Sequence, residues 1–245
     1  MRPLVPCLAA IVHCALGAGY AQDQPPAETP PAERPVVAID SQSREYLEGG
    51  DFRTLTADLE REGLEVTTTR KLAGRARPEI TATLLEDVDV LITDQRDAFA
   101  PRERKAIREW VDAGGGLLVL CEFQPGLPLG FGYEALLADY KITVRPGQTG
   151  RSDYTDRTHP IMQDVRTLED VEFGTDLIAP RATVLAEIRT HAIAVARESK
   201  QGRLVACDRS LFQDPRGGRE YIEEEDNRLF ATDTVRWLAK TLERP

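Results

Sequence analysis

The chain has few of the residues that most often carry chemistry. Its 245 residues include four cysteines, three histidines, two methionines and two tryptophans, and aromatic residues make up only 6%. Four cysteines are too few for a disulfide framework that replaces a hydrophobic core. No basic cluster stands out and the formal net charge is −10, which excludes a non-specific nucleic-acid binder, since that needs a basic face to displace counterions from phosphates. The sequence has no zinc spacing, no glycine-rich phosphate cradle, no serine-centred hydrolase elbow and no internal repeat. What remains, 41% hydrophobic and 29% charged, is the balance of a globular protein and not of a disordered one.

The amino terminus explains part of this poverty. Arg2 is followed by an apolar run from Leu4 to about Ala18 and a small-x-small step at Gly19, Tyr20 and Ala21. That pattern is a secretory signal peptide over residues 1–21, cut after Ala21, and its apolar run is shorter than the ~20 residues that span a bilayer. His13 before Cys14 makes a poor lipobox, so a lipid anchor is not expected. Cleavage removes Cys7, His13, Cys14 and one charge, Arg2, taking the net charge from −10 to −11. Cys121, Cys207, His159 and His191 remain. The mature protein is therefore expected in a bacterial periplasm or outside the cell, with no membrane span. An oxidising compartment permits a Cys121 to Cys207 bridge; buried small thiols in apolar strands are the competing reading.

Residues 22–35, QDQPPAETPPAERP, cannot bury apolar area and read as an extended tether. One domain is expected over 36–245. Inside it apolar strands alternate with amphipathic helices. VVAID (36–40) leads to a helix carrying Phe52, Leu55 and Leu59 and stopped by Gly63; LEVTTTR and VDVLITD (88–94) are further strands. Pro101 opens a helix with Ala106, Ile107, Trp110 and Val111 on one stripe, Gly114–Gly116 end it, and LLVLC (117–121) follows. This rhythm predicts an α/β fold with a doubly wound, mostly parallel sheet. In the second half, strands near 184–188, 192–196 and 203–207, the last two joined by a Lys200-Gln201-Gly202 turn, predict an antiparallel hairpin. A last helix is expected over about 224–242.

Ligands of open parallel sheets bind beyond the strands' carboxyl ends. Those ends read Asp40-Ser41-Gln42-Ser43, Asp94-Gln95-Arg96, Cys121-Glu122 and Asp208-Arg209-Ser210, and the expected topology places all four on one rim. Asp40, Asp94, Glu122 and Asp208 could offer oxygen ligands to Mg²⁺ or Ca²⁺, yet no dedicated motif arranges them. The adhesion-type Asp-x-Ser-x-Ser pattern fails at Gln42, and receiver-type phosphorelay chemistry lacks its strand-end lysine. Cys121 is a candidate nucleophile, but Leu120, Glu122 and Phe123 are too large for a nucleophile elbow, and nothing in the sequence brings His159 or His191 to it.

The segment order, together with APRERKAIREWVDAGGGLLVLC (100–121), THPI (158–161), GRLVACDRSLF (202–212) and DNRLFATDTVRWL (226–238), resembles the class I glutamine amidotransferase-like superfamily. More narrowly, it is similar to the trehalose-utilisation-like (ThuA-like) proteins and to the branch shared with auxiliary components of gliding-motility-type ABC transporters. The resemblance implies a flavodoxin-like fold and puts Cys121 at or beside the family's nucleophile. It also shows what is missing: the elbow glycines are absent, and Cys207, Asp208 and Arg209 stand where the family places its catalytic histidine and glutamate.

The expectation is thus an exported, non-catalytic domain that binds a small molecule, a glycan or an envelope protein at the rim, through Asp40, Ser41, Asp94, Gln95, Glu122, Asp208, Arg209 and Ser210. No cofactor and no metal is expected. The alternatives are a hydrolase using Cys121 or a carboxylate-bound divalent metal, and a structural envelope module.

Overall fold

The computed structural model describes residues 34–41, 51–74, 78–94, 98–122, 132–172, 174–215, 217 and 219–242. The expected signal peptide and nearly all of the tether lie outside them. Residues Arg34–Pro245 form one compact unit, and among the described residues no helix is long and apolar enough to cross a membrane.

The first half winds as its pattern predicts. β1 (Val36–Ser41), β2 (Glu65–Thr68), β3 (Val90–Asp94) and β4 (Gly116–Cys121) alternate with α1 (Arg53–Arg61), the short α2 (Thr69–Ala73) and α3 (Ala82–Leu85), and α4 (Pro101–Asp112). β2 is shorter than expected because the Thr68 hydroxyl accepts a hydrogen bond from Lys71 N–H at 3.1 Å and starts α2. α5 (Tyr133–Asp139) leads to β5 (Thr143–Pro146), β6 (Gly150–Arg151), β7 (Tyr154–Thr155), β8 (Glu169–Asp170) and β9 (Thr175–Ile178). β10 (Thr183–Ile188), β11 (His191–Ser199) and β12 (Gly202–Asp208) follow, and α6 (Asn227–Leu238) closes the fold. α6 begins three residues later than expected, since Tyr221–Glu223 form a 3-10 turn and Glu225 sits at a positive φ of 41°.

The main sheet runs β2-β1-β3-β4-β12-β11-β10-β7. The first five strands are parallel, so their carboxyl ends share one edge. β12 is the pivot: parallel to β4, it pairs antiparallel with β11 through the expected hairpin. Two small ribbons, β5/β9 and β6/β8, lie outside this sheet.

Strand alternation feeds two cores. Val37, Ile92, Leu118 and Val205 pack with Leu55 and Leu59 of α1 and Phe230 and Val235 of α6; Ala38, Leu91, Val119 and Leu204 pack on the other side with Ile107 and Val111 of α4 and Leu136 of α5. The sheet is therefore covered on both faces, as parallel sheets require.

Candidate functional site

The same alternation divides the polar rim. Asp94 shares the α1/α6 face with Val90 and Ile92, and Glu122 follows Leu118 and Leu120 of that face. Asp40, Cys121 and Asp208 alternate with the opposite set, beside Ala38, Val119 and Ala206.

On the α1/α6 face Arg209 is the hub. The Asp208 carboxylate accepts a hydrogen bond from Ser210 N–H at 2.9 Å, which starts the 3-10 turn Arg209–Leu211 at the end of β12. The Arg209 Nε donates to Asp94 Oδ1 at 2.6 Å and its Nη2 to Asp51 Oδ2 at 2.7 Å, while Nη1 lies 3.8 Å from Glu122 Oε2. The side chains of Arg209, Asp94 and Glu122 are 2%, 0% and 2% exposed; Asp51, at 18%, faces outward most. Burial raises the Asp94 carboxyl to about 6, against the pull of the Arg209 charge and hydrogen bonds, with the charges of Glu122 and Asp51 adding to the rise.

Gln213 completes the cluster. It is 3% exposed, and its Nε2 donates to Asp51 Oδ2 at 3.1 Å. A carboxylate only accepts, so this bond fixes the orientation of the amide. The Gln213 Oε1 is left as a buried acceptor with no partner among the described residues. Such a group costs about 1–3 kcal/mol, and a donor brought by a ligand would relieve it. The next residue holds the site's other wall: the Asp214 carboxylate accepts from the Arg53 and Thr54 N–H groups, capping α1 where Phe52 makes no side-chain cap, and its own N–H donates to the Asp51 carbonyl at 2.7 Å. Asp51 is thereby fixed opposite Arg209.

On the opposite face Asp208 is internally engaged. Its Oδ2 accepts from the Thr175 N–H at 3.2 Å and from the Thr175 hydroxyl, while the Ser210 hydroxyl donates to Asp170 Oδ1 at 3.1 Å. Asp170 also accepts from Glu172 N–H at 3.1 Å and Gly174 N–H at 3.0 Å. Burial, then the nearby charge of Asp170, pushes the Asp208 carboxyl well up. This network ties β8 and β9 to the sheet. Asp40 accepts from the Thr69 hydroxyl at 2.7 Å and ties β1 to α2. The eight predicted rim residues thus separate: Asp94, Glu122 and Arg209 meet in one cluster, Asp208 and Ser210 in another, and Asp40 stands with Thr69. Ser41 ends β1 in register with Asp94, and Gln95 lies outside the described residues.

Cys121 is placed against a nucleophilic role. It is 0% exposed within β4, its thiol donates to the Val119 carbonyl at 3.7 Å and not to a histidine, and burial followed by the charge of Asp208 pushes its pKa well up. His159 accepts from Ile161 N–H at 3.3 Å and packs edge-on against Trp237; His191 lies 3.4 Å from Asp176. The bridge permitted by the sequence does not form. Both thiols are free and buried, because Cys121 aligns with Asp208 while Cys207 aligns with Leu120, which sends the two side chains to opposite faces. Among the described residues no group of three or more His, Cys, Asp or Glu side chains is placed to hold a metal ion.

Sequence reasoning missed Asp51, Asp170, Thr175, Gln213 and Asp214. Only Gln213 and Asp214 carried a local signal, as polar residues immediately after the GRLVACDRSLF segment (202–212).

Comparison with known proteins bears on the fold. No family model matches the chain, and no curated protein does. Among solved structures it is similar to the mmIFT52 N-terminal domain, with a TM-score of 0.65 and 18% identity over 86% of this chain and 100% of that one. Cytoplasmic Protein STM1381 from Salmonella typhimurium LT2 gives a TM-score of 0.62 and 18% identity over 83% of this chain and 98% of that one. A ThuA-like protein from Bacteroides uniformis ATCC 8492 gives 0.52 and 12% identity over 90% and 95%. At these identities the likeness is one of fold, and it includes the ThuA-like fold that the sequence motifs imply.

Proposed function

We propose that the chain is an exported, non-catalytic domain of the trehalose-utilisation-like and gliding-motility-type branch, which captures a small molecule, a glycan or an envelope protein at the carboxyl-end rim. The observation that carries this reading is the buried Gln213 Oε1, without a partner among the described residues, beside Asp51 and Arg209. An acceptor held in one orientation, next to the most exposed carboxylate of the cluster, suits a ligand that donates hydrogen bonds. The loss of the family's triad and the burial of Cys121 speak for binding over thiol hydrolysis. Export rests on the leader sequence.

The test is a thermal-shift screen of the mature protein with sugars, polyols and small polar compounds, repeated on Asp51→Asn and Gln213→Ala. A ligand at 100 times its Kd stabilises by about 2.7 kcal/mol. The expected hit raises the melting temperature of the parent and loses most of that rise in both variants. A hit that shifts parent and variants equally puts the capture site elsewhere.

A further inference from the structure

A concave site lies at the opposite end of the sheet from the rim. It is an open depression of about 520 Å³, within the size range of small-ligand pockets. Thr183 starts β10, Arg203 lies near the start of β12 and Trp237 belongs to α6; Arg181 and His159 complete the part of the lining that matters chemically. Arg203 and Asp208 stand at opposite ends of one strand, so this site is about 17 Å from the rim.

Its side chains offer donors. The Arg203 guanidinium lies over the Trp237 ring, 4.7 Å from the centroid, and its Nη1 donates to the Trp237 carbonyl at 2.5 Å. These contacts hold the guanidinium plane and leave Nη2 without a partner among the described residues. His159 accepts at Nδ1 from Ile161 N–H, so the proton of the neutral ring is on Nε2, and burial keeps the ring neutral by lowering its pKa. The Nε2–H is then a donor in a site the ring lines. Arg181 is exposed and has no ion pair among the described residues. Two carboxylates oppose these donors: Asp156, whose charge acts on His159, and Glu198, 73% exposed, with a carboxylate 4.0 Å from the Arg203 Nε. A chain of net charge −10 repels anions at long range, so a pocket with two arginines, an imidazole N–H and a hydroxyl is a local exception to its own field.

We propose that this pocket binds the oxyanion of a small ligand, phosphate or carboxylate, held by Arg181, Arg203 and the His159 Nε2–H beside Trp237. Guanidinium groups bond planar and tetrahedral oxyanions through paired N–H donors, which is the chemistry the site supplies. The pocket shares no residue with the rim, so the proposal stands whether or not the rim reading does.

The test uses the full chain carrying Trp110→Phe, which leaves Trp237 as its one tryptophan, and follows Trp237 emission during titration with inorganic phosphate and, separately, acetate. Ionic strength is held constant with sodium chloride. The expected result is a saturable change for at least one oxyanion with half-saturation at about 1 mM. Arg181→Glu, at an exposed position, should weaken it at least tenfold without changing the melting temperature, and Glu198→Gln should tighten it by removing the competitor for Arg203. The stronger of the two probes tells whether the ligand bears phosphate or carboxylate. In the chain that keeps Trp110, the Trp237 indole N–H resonance reads the same titration should Trp110→Phe unfold. A change no larger than chloride alone produces, or an Arg181→Glu variant that titrates like its parent, overturns the proposal.

Discussion

Arg209→Met removes the guanidinium of the rim cluster while keeping much of its buried volume. Asp94 and Glu122, at 0% and 2% exposure, then lose their shared cation. Breaking a buried pair from one side costs about 3–5 kcal/mol, a large part of the 5–15 kcal/mol that holds a typical domain together. The deficit should also depend on pH with a definite sign. Asp94 titrates at about 6 in the folded protein against 3.8 as its ordinary value, so between those values the folded state binds a proton that the unfolded chain releases. The raised carboxyl therefore costs about 3 kcal/mol above pH 6, and that cost fades as pH falls from about 6 towards 3.8. Without Arg209 the carboxyl rises further and relief begins at higher pH. Urea unfolding at about pH 7.5 and about pH 5 measures both effects. The expected deficit is about 4 kcal/mol at the higher pH and at least about 1 kcal/mol smaller at the lower. Adding Asp94→Leu should return much of the loss. A deficit below about 1 kcal/mol at the higher pH, or one equal at both, refutes Arg209 as the hub.

Asp214→Ala should cost about 1–2 kcal/mol and raise amide exchange at Arg53 and Thr54, since it removes the cap of α1; unchanged exchange there would show that the helix start needs no help from 160 residues away. Gly202→Ala should cost about 3 kcal/mol or more in a urea titration, because a Cβ there would stand 1.9 Å from the Val111 carbonyl oxygen; a loss under about 1 kcal/mol would mean the α4 end yields easily. The reduced native protein should leave Cys121 and Cys207 unlabelled by a thiol reagent until it unfolds, and a fast-reacting native thiol would reopen the nucleophile reading. The protein recovered from an exporting host should begin at Gln22; recovery with Met1 or Arg2 at its start would contradict the leader.

The parallel half of the fold was legible because its signals are local. Pro101 at the head of α4, the apolar stripe behind it and the glycines after it define a helix and a strand without reference to the rest of the chain. The hairpin from β11 to β12 was legible for the same reason. The site was legible only in part. Period-two alternation told which residues end the strands, but the rim's division into two faces depends on register, and register is set by pairing between distant segments. Asp51 meets Arg209 across more than 150 residues of sequence, and no spacing rule reaches that far. A strand-end carboxylate such as Asp208 gives in sequence no sign of Thr175 or of the Ser210 N–H that it binds in the fold.

The proposed function places capture at the rim formed by Asp51, Arg209 and Gln213. Backbone amide shift mapping, with residues 22–245 titrated by the compound that stabilises them most in the thermal screen, is the measurement that tests this. The largest shifts are expected on Asp51, Arg53, Thr54 and residues 209–214, with Gln213 side-chain amide protons moving as its carbonyl gains a donor. Shifts confined to other surfaces, with those residues unmoved at saturation, would contradict it.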